Sequence, residues 1–479
     1  MTTAVPHSDV LVVGAGSAGS VVAERLSADP SCTVTVLEAG PALTDPGLLA
    51  QTANGLQLPI GSGSPLVQRY QTRLTDRPVR RLQVVRGATV GGSGAVNGGY
   101  FCRGLPSDFD RAAIPGWSWS DVLDSFRAIE TDLDFAGPAH GDSGPILVRR
   151  THEMTGTTER FIAAAERAGF AWIADLNDAG PELVSGVGAV PLNIVDGVRT
   201  GSGAGYLIPA LGRSNLTLVA RTRAVRLRFA GTAAVGVDAI GPQGESIFTA
   251  DRIVLCAGAI QSAHLLMLSG VGDEEMLRTV GVPVAVPLPV GAAFSDHPEW
   301  VLPTNWPIAP SRPVLEVVLN APDHLEIRPY TGGFIAMTGD GAAGHPDWPH
   351  VGVALMRPRA RGRITLVSAD PGVAPGIEHR YDSEPEDVAT LRRGTELARE
   401  LTSGATDVGT PAWSTSQHLC GTAPMGRDGD PRAVVDQRCR VYGIDNLWVI
   451  DGAILPVITS RGPHATIVML GHRAAEFVH

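Results

Sequence analysis

Six residues, Gly14-Ala15-Gly16-Ser17-Ala18-Gly19, follow directly on the apolar run Val10 to Val13, and Val21, Val22 and Leu26 succeed them at helical spacing. This is the pattern of a strand, a tight turn and a helix. In it Gly14 makes the sharp bend, Gly16 lets the backbone approach a pyrophosphate, and Gly19 lets helix and strand pack closely. Ser17 and Ala18 open a helix whose N-terminus faces the negative charge. A second strand, Val34 to Leu37, ends at Glu38, which completes a βαβ unit of about thirty residues. Glu38 is suited to accept hydrogen bonds from ribose hydroxyls and disfavours a 2′-phosphate, so the adenosine of FAD or NAD fits better than that of NADP. Proton transfer needs a second kind of group, and the chain has 13 histidines. A neutral imidazole with a pKa of about 6.5 is a suitable general base.

Composition narrows the chemistry. All 38 basic residues are Arg, and no Lys occurs in the 479 residues. Schiff-base chemistry on a lysine amine, P-loop phosphate binding and protein-kinase chemistry are thereby excluded. The net charge of −11 argues against a nucleic-acid partner. Five cysteines, Cys32, Cys102, Cys256, Cys420 and Cys439, are widely spaced and form no paired metal-ligand pattern, so no metal is expected. No apolar run approaches the roughly 20 residues of a membrane span. Residues 1 to 9 carry no tripartite secretion signal, and a cytoplasmic protein is expected. A chain with 44% hydrophobic residues is long enough for two domains, and 57 Gly and 36 Pro predict many tight loops.

Further elements must position these groups. Residues 40 to 86, rich in Gly, Pro and polar residues, read as extended loops over the cofactor. Asp121 to Glu130 reads as a helix with Ser120 at its N-cap. The β-rich runs from Leu216 to Ile240 suggest an antiparallel hairpin, and Ile253 to Leu255 is a buried strand leading through Gly258 into the helix Gln261 to Leu268. Between about 298 and 380, short alternating runs such as Leu315 to Leu319 and Ile364 to Val367 suit an antiparallel sheet with one wet face. Leu447 to Ile450 is a strand ending at Asp451, and Ala465 to Val478 has helical spacing.

Four ordered segments carry a resemblance. The stretch Arg86 to Gly104, with Gly91-Gly92-Ser93-Gly94-Ala95-Val96-Asn97, resembles the flavin-covering signature of the glucose-methanol-choline (GMC) oxidoreductases, and Gly258 to Gly272 is similar to their second signature. His418-Leu419-Cys420-Gly421-Thr422, Met425-Gly426, Val434-Val435-Asp436 and Leu447 to Ser460, closing on His464, are similar to their C-terminal catalytic block. The resemblance implies an α/β fold with a discontinuous Rossmann-like FAD-binding domain over 1–145, 196–297 and 415–479. An antiparallel-sheet substrate domain would take 146–195 and 298–414. It also implies that His418 is the general base and His464 orients the substrate oxygen, while His264 and His297 are not catalytic. Asn97 would lie near the isoalloxazine, the Ala224 backbone at the adenine, and Asp451 with Gly452 at the pyrophosphate and ribityl chain, with Gly92 and Ala465 also binding the cofactor. Three residues depart from the pattern: Ala88 for a basic residue, Gly94 for a hydroxyl residue and Ala263 for a proline.

The implied activity is oxidation of a CH–OH donor by hydride transfer to flavin N5. Alternatives are a small-alcohol oxidase, a choline-dehydrogenase-like enzyme, a hydroxynitrile-lyase-like flavoprotein that holds FAD without cycling it, and a non-catalytic flavoprotein. The wording Val96-Asn97-Gly98-Gly99-Tyr100-Phe101-Cys102-Arg103 resembles the mycofactocin-associated branch of the family. That would make the donor a reduced peptide-derived carrier and send electrons toward the respiratory chain, with the protein at most peripheral to the inner membrane. Val96 occupies the position where some relatives carry a histidine bonded to the flavin, and valine cannot form that bond. FAD should therefore be non-covalent, and acid precipitation of the holoprotein should leave yellow FAD in the supernatant. Colour retained in the pellet would reveal another point of attachment.

Overall fold

Val10, Leu11, Val12 and Val13 offer no polar face, and such a run is stable only where a sheet is covered on both sides. In the computed structural model, which describes residues 3–4, 7–178, 180–309, 311–333, 337–338 and 347–478, the strand Ser8–Val13 is an inner strand of a parallel layer. Val34–Leu37 pairs on one side of it and the end of Gly244–Leu255 on the other. Leu216–Val219 extends the layer beyond Val34–Leu37, and Leu447–Val449 beyond Gly244–Leu255. The long strand Gly244–Leu255 also belongs to an antiparallel meander with Arg223–Ala230 and Ala233–Gly241. The hairpin expected from Leu216 onward thus begins only at Arg223. The preceding run is pinned in the parallel layer by the Asn215 amide, which donates to the carbonyls of Ser27, Asp29 and Cys32 at 3.0, 2.9 and 2.8 Å.

Residues 40 to 86 are not extended loops. Helix Pro46–Ala53 is capped by Asp45, whose carboxylate accepts from Leu48 N–H at 2.9 Å. The strands Val67–Asp76 and Val79–Gly87 then form a hairpin, which joins Gly376–Glu378 and Arg363–Thr365 in a four-stranded sheet. Tyr70, Thr72 and Leu74 are buried on its inner face. They alternate with Arg69, Gln71 and Arg73, the two guanidinium groups being tied to the Ile60 carbonyl and to Glu378, so the alternation is hidden in a polar composition. The run Ile364 to Val367 therefore serves this sheet and not the substrate-side one. The helix expected at Asp121 spans Trp119–Ile129, and its N-cap is Ser118, whose N–H donates to Asp121 at 2.9 Å.

The second large sheet has seven strands in the order Ala412–Thr415, Pro298–Pro303, Pro349–Leu355, Leu325–Gly333, Val317–Ala321, Gly186–Ala189 and Trp172–Ile173. One face buries Leu302, Val351, Val353, Leu325 and Ile327 against helices Gly156–Arg167 and Pro385–Leu401. The other face is not wet. It carries Glu299, Arg328 and Tyr330 into a cavity between the two large sheets. Val317–Ala321 is buried along its whole length.

A buried ionic cluster anchors the segment that runs from Asn97 to Arg103. The Arg103 guanidinium pairs with Glu130, and Arg150 bridges Asp132 and Asp175, the latter at 2.8 Å. The His140 ring lies between Asp132 at 3.1 Å and Asp175 at 2.9 Å. These carboxylates raise the imidazole pKa from 6.5 to about 11, while Asp132 and Asp175 are held below the usual carboxylate range by His140 and Arg150, against their burial. A raised histidine pKa contributes stability that is whole below pH 6.5 and is lost as pH climbs through about 11. The depressed carboxylates contribute stability that is lost below the unfolded carboxylate value of 3.8. His140→Gln should therefore lower the melting temperature most between about pH 4 and 6.5. Its deficit relative to the wild type should shrink between pH 7 and 11, as measured by calorimetry across that range.

Candidate functional site

The cavity between the sheets, about 480 Å³, begins at the glycine-rich turn. Gly14 has a φ of +104°, and a Cβ there would lie 2.5 Å from the Cys256 carbonyl oxygen. A Cβ on Gly16 would meet nothing nearer than 3.7 Å, so the space beside it is cavity. Gly14, Gly16, Ser17, Ala18, Glu38, Gly92, Asn97, Ala224, Asp451 and Gly452 all line it. Two expected residues do not. A Cβ on Gly19 would collide with the Gly14 carbonyl, so this glycine serves the packing of helix on turn, and Ala465 is fully buried in the first turn of helix His464–Ala474. Glu38 accepts from Ala15 N–H at 2.9 Å and Gly40 N–H at 2.8 Å. Each carboxylate oxygen keeps a lone pair for a ligand hydroxyl. Burial raises its pKa. The Asp451 carboxylate is spent inside the protein, on Gly258 N–H, Ala453 N–H and the Ser262 hydroxyl, and it brings the N-terminus of helix Gly258–Leu268 to the same cavity. An elongated cleft with two helix N-termini, an exposed glycine backbone and a carboxylate at its end fits a dinucleotide.

The far end carries His418 and His464. His418 follows strand Ala412–Thr415, and its backbone N–H donates to the buried Asp296 carboxylate at 2.7 Å. The other side of that carboxylate accepts from the Thr415 hydroxyl at 2.8 Å, and Asp296 also accepts from His297 N–H at 2.8 Å. The His297 ring fixes the protonation of His418. His297 Nε2 lies 3.0 Å from the Thr459 carbonyl, which can only accept, so Nε2 bears the hydrogen and Nδ1 of the neutral ring accepts. His418 Nδ1 lies 2.8 Å from that Nδ1 and must be the donor. The lone pair of His418 is then on Nε2, on the ring edge not used by the protein.

His464 is fixed in the opposite tautomer to His418 by its own partner. Asn97 Oδ1 accepts from Gly99 N–H at 2.9 Å, so its NH₂ group faces His464 Nδ1 at 3.2 Å and donates to it. The ring hydrogen is therefore on Nε2, which has no partner among the described residues. Phe101 holds the ring edge-on at 5.4 Å. The departure at Gly94 is explained here, because a Cβ on residue 94 would collide with His464 Nε2. Val96 also lines the cavity.

Burial, together with the charges of His297, Arg328 and Arg86, pushes the His418 pKa well below 6.5, and burial pushes His297 and His464 down to about 4. All three rings are neutral at pH 7. The arrangement offers a proton acceptor at one histidine and a proton donor at the other. His264 stands apart in the helix Gly258–Leu268, buried and with its pKa lowered to about 4.

Several contributors were not picked out from the sequence. His297 is no reacting group, yet it sets the tautomer of His418. Its signal was the sequence Asp296-His297-Pro298 at the start of a strand. Arg86 lines the cavity, donates only to the Val85 carbonyl and to Gln417, and makes no ion pair among the described residues. Glu299 and Arg328 sit inside ordinary β-runs and give no local signal.

The fold and the paired histidines define an FAD-type oxidoreductase architecture, and comparison with known proteins agrees. The GMC oxidoreductase model matches residues 8–299 and, in its C-terminal part, 358–471. The chain is 42% identical to the GMC-type oxidoreductase in the thcA 5′ region of Rhodococcus erythropolis, over 99% of each chain. It is 31% identical to the oxygen-dependent choline dehydrogenase of Vibrio vulnificus, over 98% of this chain and 94% of that one. Among solved structures, pyridoxine 4-oxidase from Mesorbium loti superimposes with a TM-score of 0.88 at 28% identity, over 98% and 99% of the two chains. The protein belongs to the GMC oxidoreductase family. It is an FAD-dependent oxidoreductase acting on CH–OH groups. No helix among the described residues is long and apolar enough to cross a membrane.

The lowered values carry a direct consequence. In ¹⁵N-histidine spectra the His297 and His464 rings should remain neutral on acidification until pH approaches about 4. Both should show hydrogen on Nε2, whereas His418 should show it on Nδ1. An imidazolium at either of the first two positions at pH 6 would contradict this electrostatic account.

Proposed function

We propose that the protein is a dehydrogenase whose His418 removes the hydroxyl proton of a CH–OH donor while His464 orients the donor oxygen, with FAD held non-covalently. The observation that carries this reading is the complementary protonation of the two rings, a lone pair on His418 Nε2 and a hydrogen on His464 Nε2. Bound FAD supplies the hydride acceptor. A donor hydroxyl between the rings gives its hydrogen to His418 and receives a hydrogen bond from His464. The charge that develops on His418 is shared through Nδ1–H with His297, whose backbone N–H in turn donates to Asp296. The glycine-rich turn, Glu38 and the Asp451-Gly452 segment would hold the dinucleotide.

For the donor we put forward the reduced form of a peptide-derived carrier of the mycofactocin type, on the wording of Val96 to Arg103. The acceptor would be a respiratory or other non-oxygen partner, reached from the cytoplasm or from the periphery of the inner membrane.

His418→Ala should slow anaerobic flavin reduction by about 10² to 10⁴, the usual contribution of a positioned base, and leave the flavin spectrum nearly unchanged. His464→Ala should do the same to a lesser degree. Stopped-flow reduction at wild-type rate in His418→Ala would sink the assignment. Mixing the reduced enzyme with air-saturated buffer should give slow reoxidation, and with a quinone or dye fast reoxidation. Rapid stoichiometric peroxide would instead mark an oxidase.

A further inference from the structure

Glu299 and Arg328 line the donor end of the cavity and belong to a buried network of charged groups that neutralise one another. Glu299 Oε1 accepts from the Tyr330 hydroxyl at 2.9 Å, and Oε2 accepts from Arg328 Nη1 at 3.0 Å and the Ser416 hydroxyl at 2.8 Å. Arg328 also donates from Nε to Glu326 at 2.7 Å and from Nη1 to Ser416 at 2.7 Å. Glu326 in turn accepts from the Tyr100 hydroxyl at 2.9 Å and from Arg461 at 3.4 Å. Glu299, Glu326, Arg328 and Arg461 are all at most 5% exposed, two of each sign.

The sheet is built to keep this balance. Gly352 lies on the strand between those carrying Glu299 and Tyr330, and a Cβ there would collide with Glu299 and come within 3.0 Å of the Tyr330 ring. The rest of the donor end is formed by Leu58, Ile60, Val301, Val314 and Leu315.

We infer that the protein selects an alcohol whose body is uncharged and apolar or aromatic, with Arg328 the residue that excludes cationic alcohols by occupying Glu299. The inference rests on the reading above that the cavity takes a CH–OH donor. A quaternary ammonium loses its hydration on entry and meets a carboxylate whose charge is already compensated, with a guanidinium beside it. A carboxylate ligand meets Glu299. A neutral apolar body pays neither cost and gains contact with the aliphatic wall.

Binding tests this without turnover. FAD-loaded protein is titrated with benzamide, benzoate and tetramethylammonium, followed by calorimetry and by the perturbation of the flavin spectrum. The wild type should hold benzamide at least about tenfold more tightly than either ion, a difference within reach of one buried charge. Arg328→Met should improve tetramethylammonium relative to benzamide by about tenfold or more, and Glu299→Gln should do the same for benzoate. The second variant removes a charge without changing shape, so it decides the matter if the first fails to fold. Wild-type affinity for tetramethylammonium equal to that for benzamide, or an unmoved ranking in Glu299→Gln, would overturn the inference. If the ranking holds but no neutral alcohol bleaches the flavin, the dehydrogenase reading fails and the selectivity of the wall stands.

Discussion

The carboxylate of Asp296 is the point on which the reacting end of this protein depends. It is fully buried, burial raises its pKa, and its oxygens are taken up by the backbone N–H groups of His297 and His418 and by the Thr415 hydroxyl. Those donors come from two chain segments more than a hundred residues apart in sequence, one entering the strand Pro298–Pro303 and the other leaving Ala412–Thr415. These two strands are neighbours in the seven-stranded sheet, with Pro298 opposite Thr415. A buried carboxylate left without donors would carry a large desolvation penalty. Satisfying it forces the two histidines into contact, and their contact in turn fixes which nitrogen of His418 is bare.

Two absent side chains do complementary work. At Gly94 the missing Cβ is where His464 Nε2 lies, and at Gly352 it is where Glu299 lies under Tyr330. One vacancy sets the donor ring beside the cofactor cleft, and the other lets a charged wall close on itself. Neither glycine has a positive φ, so each is required by close approach and not by backbone conformation.

Much of the nucleotide end was legible in the sequence because its determinants are local. The bend at Gly14, the packing glycine Gly19 and the acid at the end of the second strand all fall within one βαβ unit, where period and spacing carry the geometry. The α/β architecture with a second, largely antiparallel sheet followed from the same signals. His418 and His464 were singled out by the motifs around them, since nothing in an isolated histidine distinguishes them from the other rings. What stayed hidden was non-local. The hairpin Val67–Asp76 and Val79–Gly87 alternates buried residues with arginines whose partners lie elsewhere in the chain, so its composition resembles a loop. Leu216–Val219 was misassigned because a short apolar run does not declare its pairing, and here Asn215 decides it. The role of His297 depends on a ring-to-ring contact across 121 residues, and no spacing rule reaches that far.

The same non-locality explains why the chain buries so much charge near an apolar cofactor cleft. Without lysine, every strong cation is a planar guanidinium, which can serve several acceptors at once. Arg328 serves Glu299, Glu326 and Ser416, and Arg150 serves Asp132 and Asp175. A point-like ammonium on a flexible stem would leave some of these carboxylates short of donors. Arg86 and Arg199 differ, since the neighbours of Arg86 are a carbonyl and an amide and those of Arg199 are carbonyls, and burial lowers the pKa of both, although Asp296 opposes this at Arg86 through space. Arg86 and Arg223 thus both line the cavity without a carboxylate partner among the described groups. They favour negative charge in the cleft, while the balanced wall at the donor end favours none. A positive guanidinium beside the His418 segment together with a charge-balanced wall at Glu299 and Arg328 would favour an uncharged alcohol whose electrons pass to an acceptor that gains negative charge.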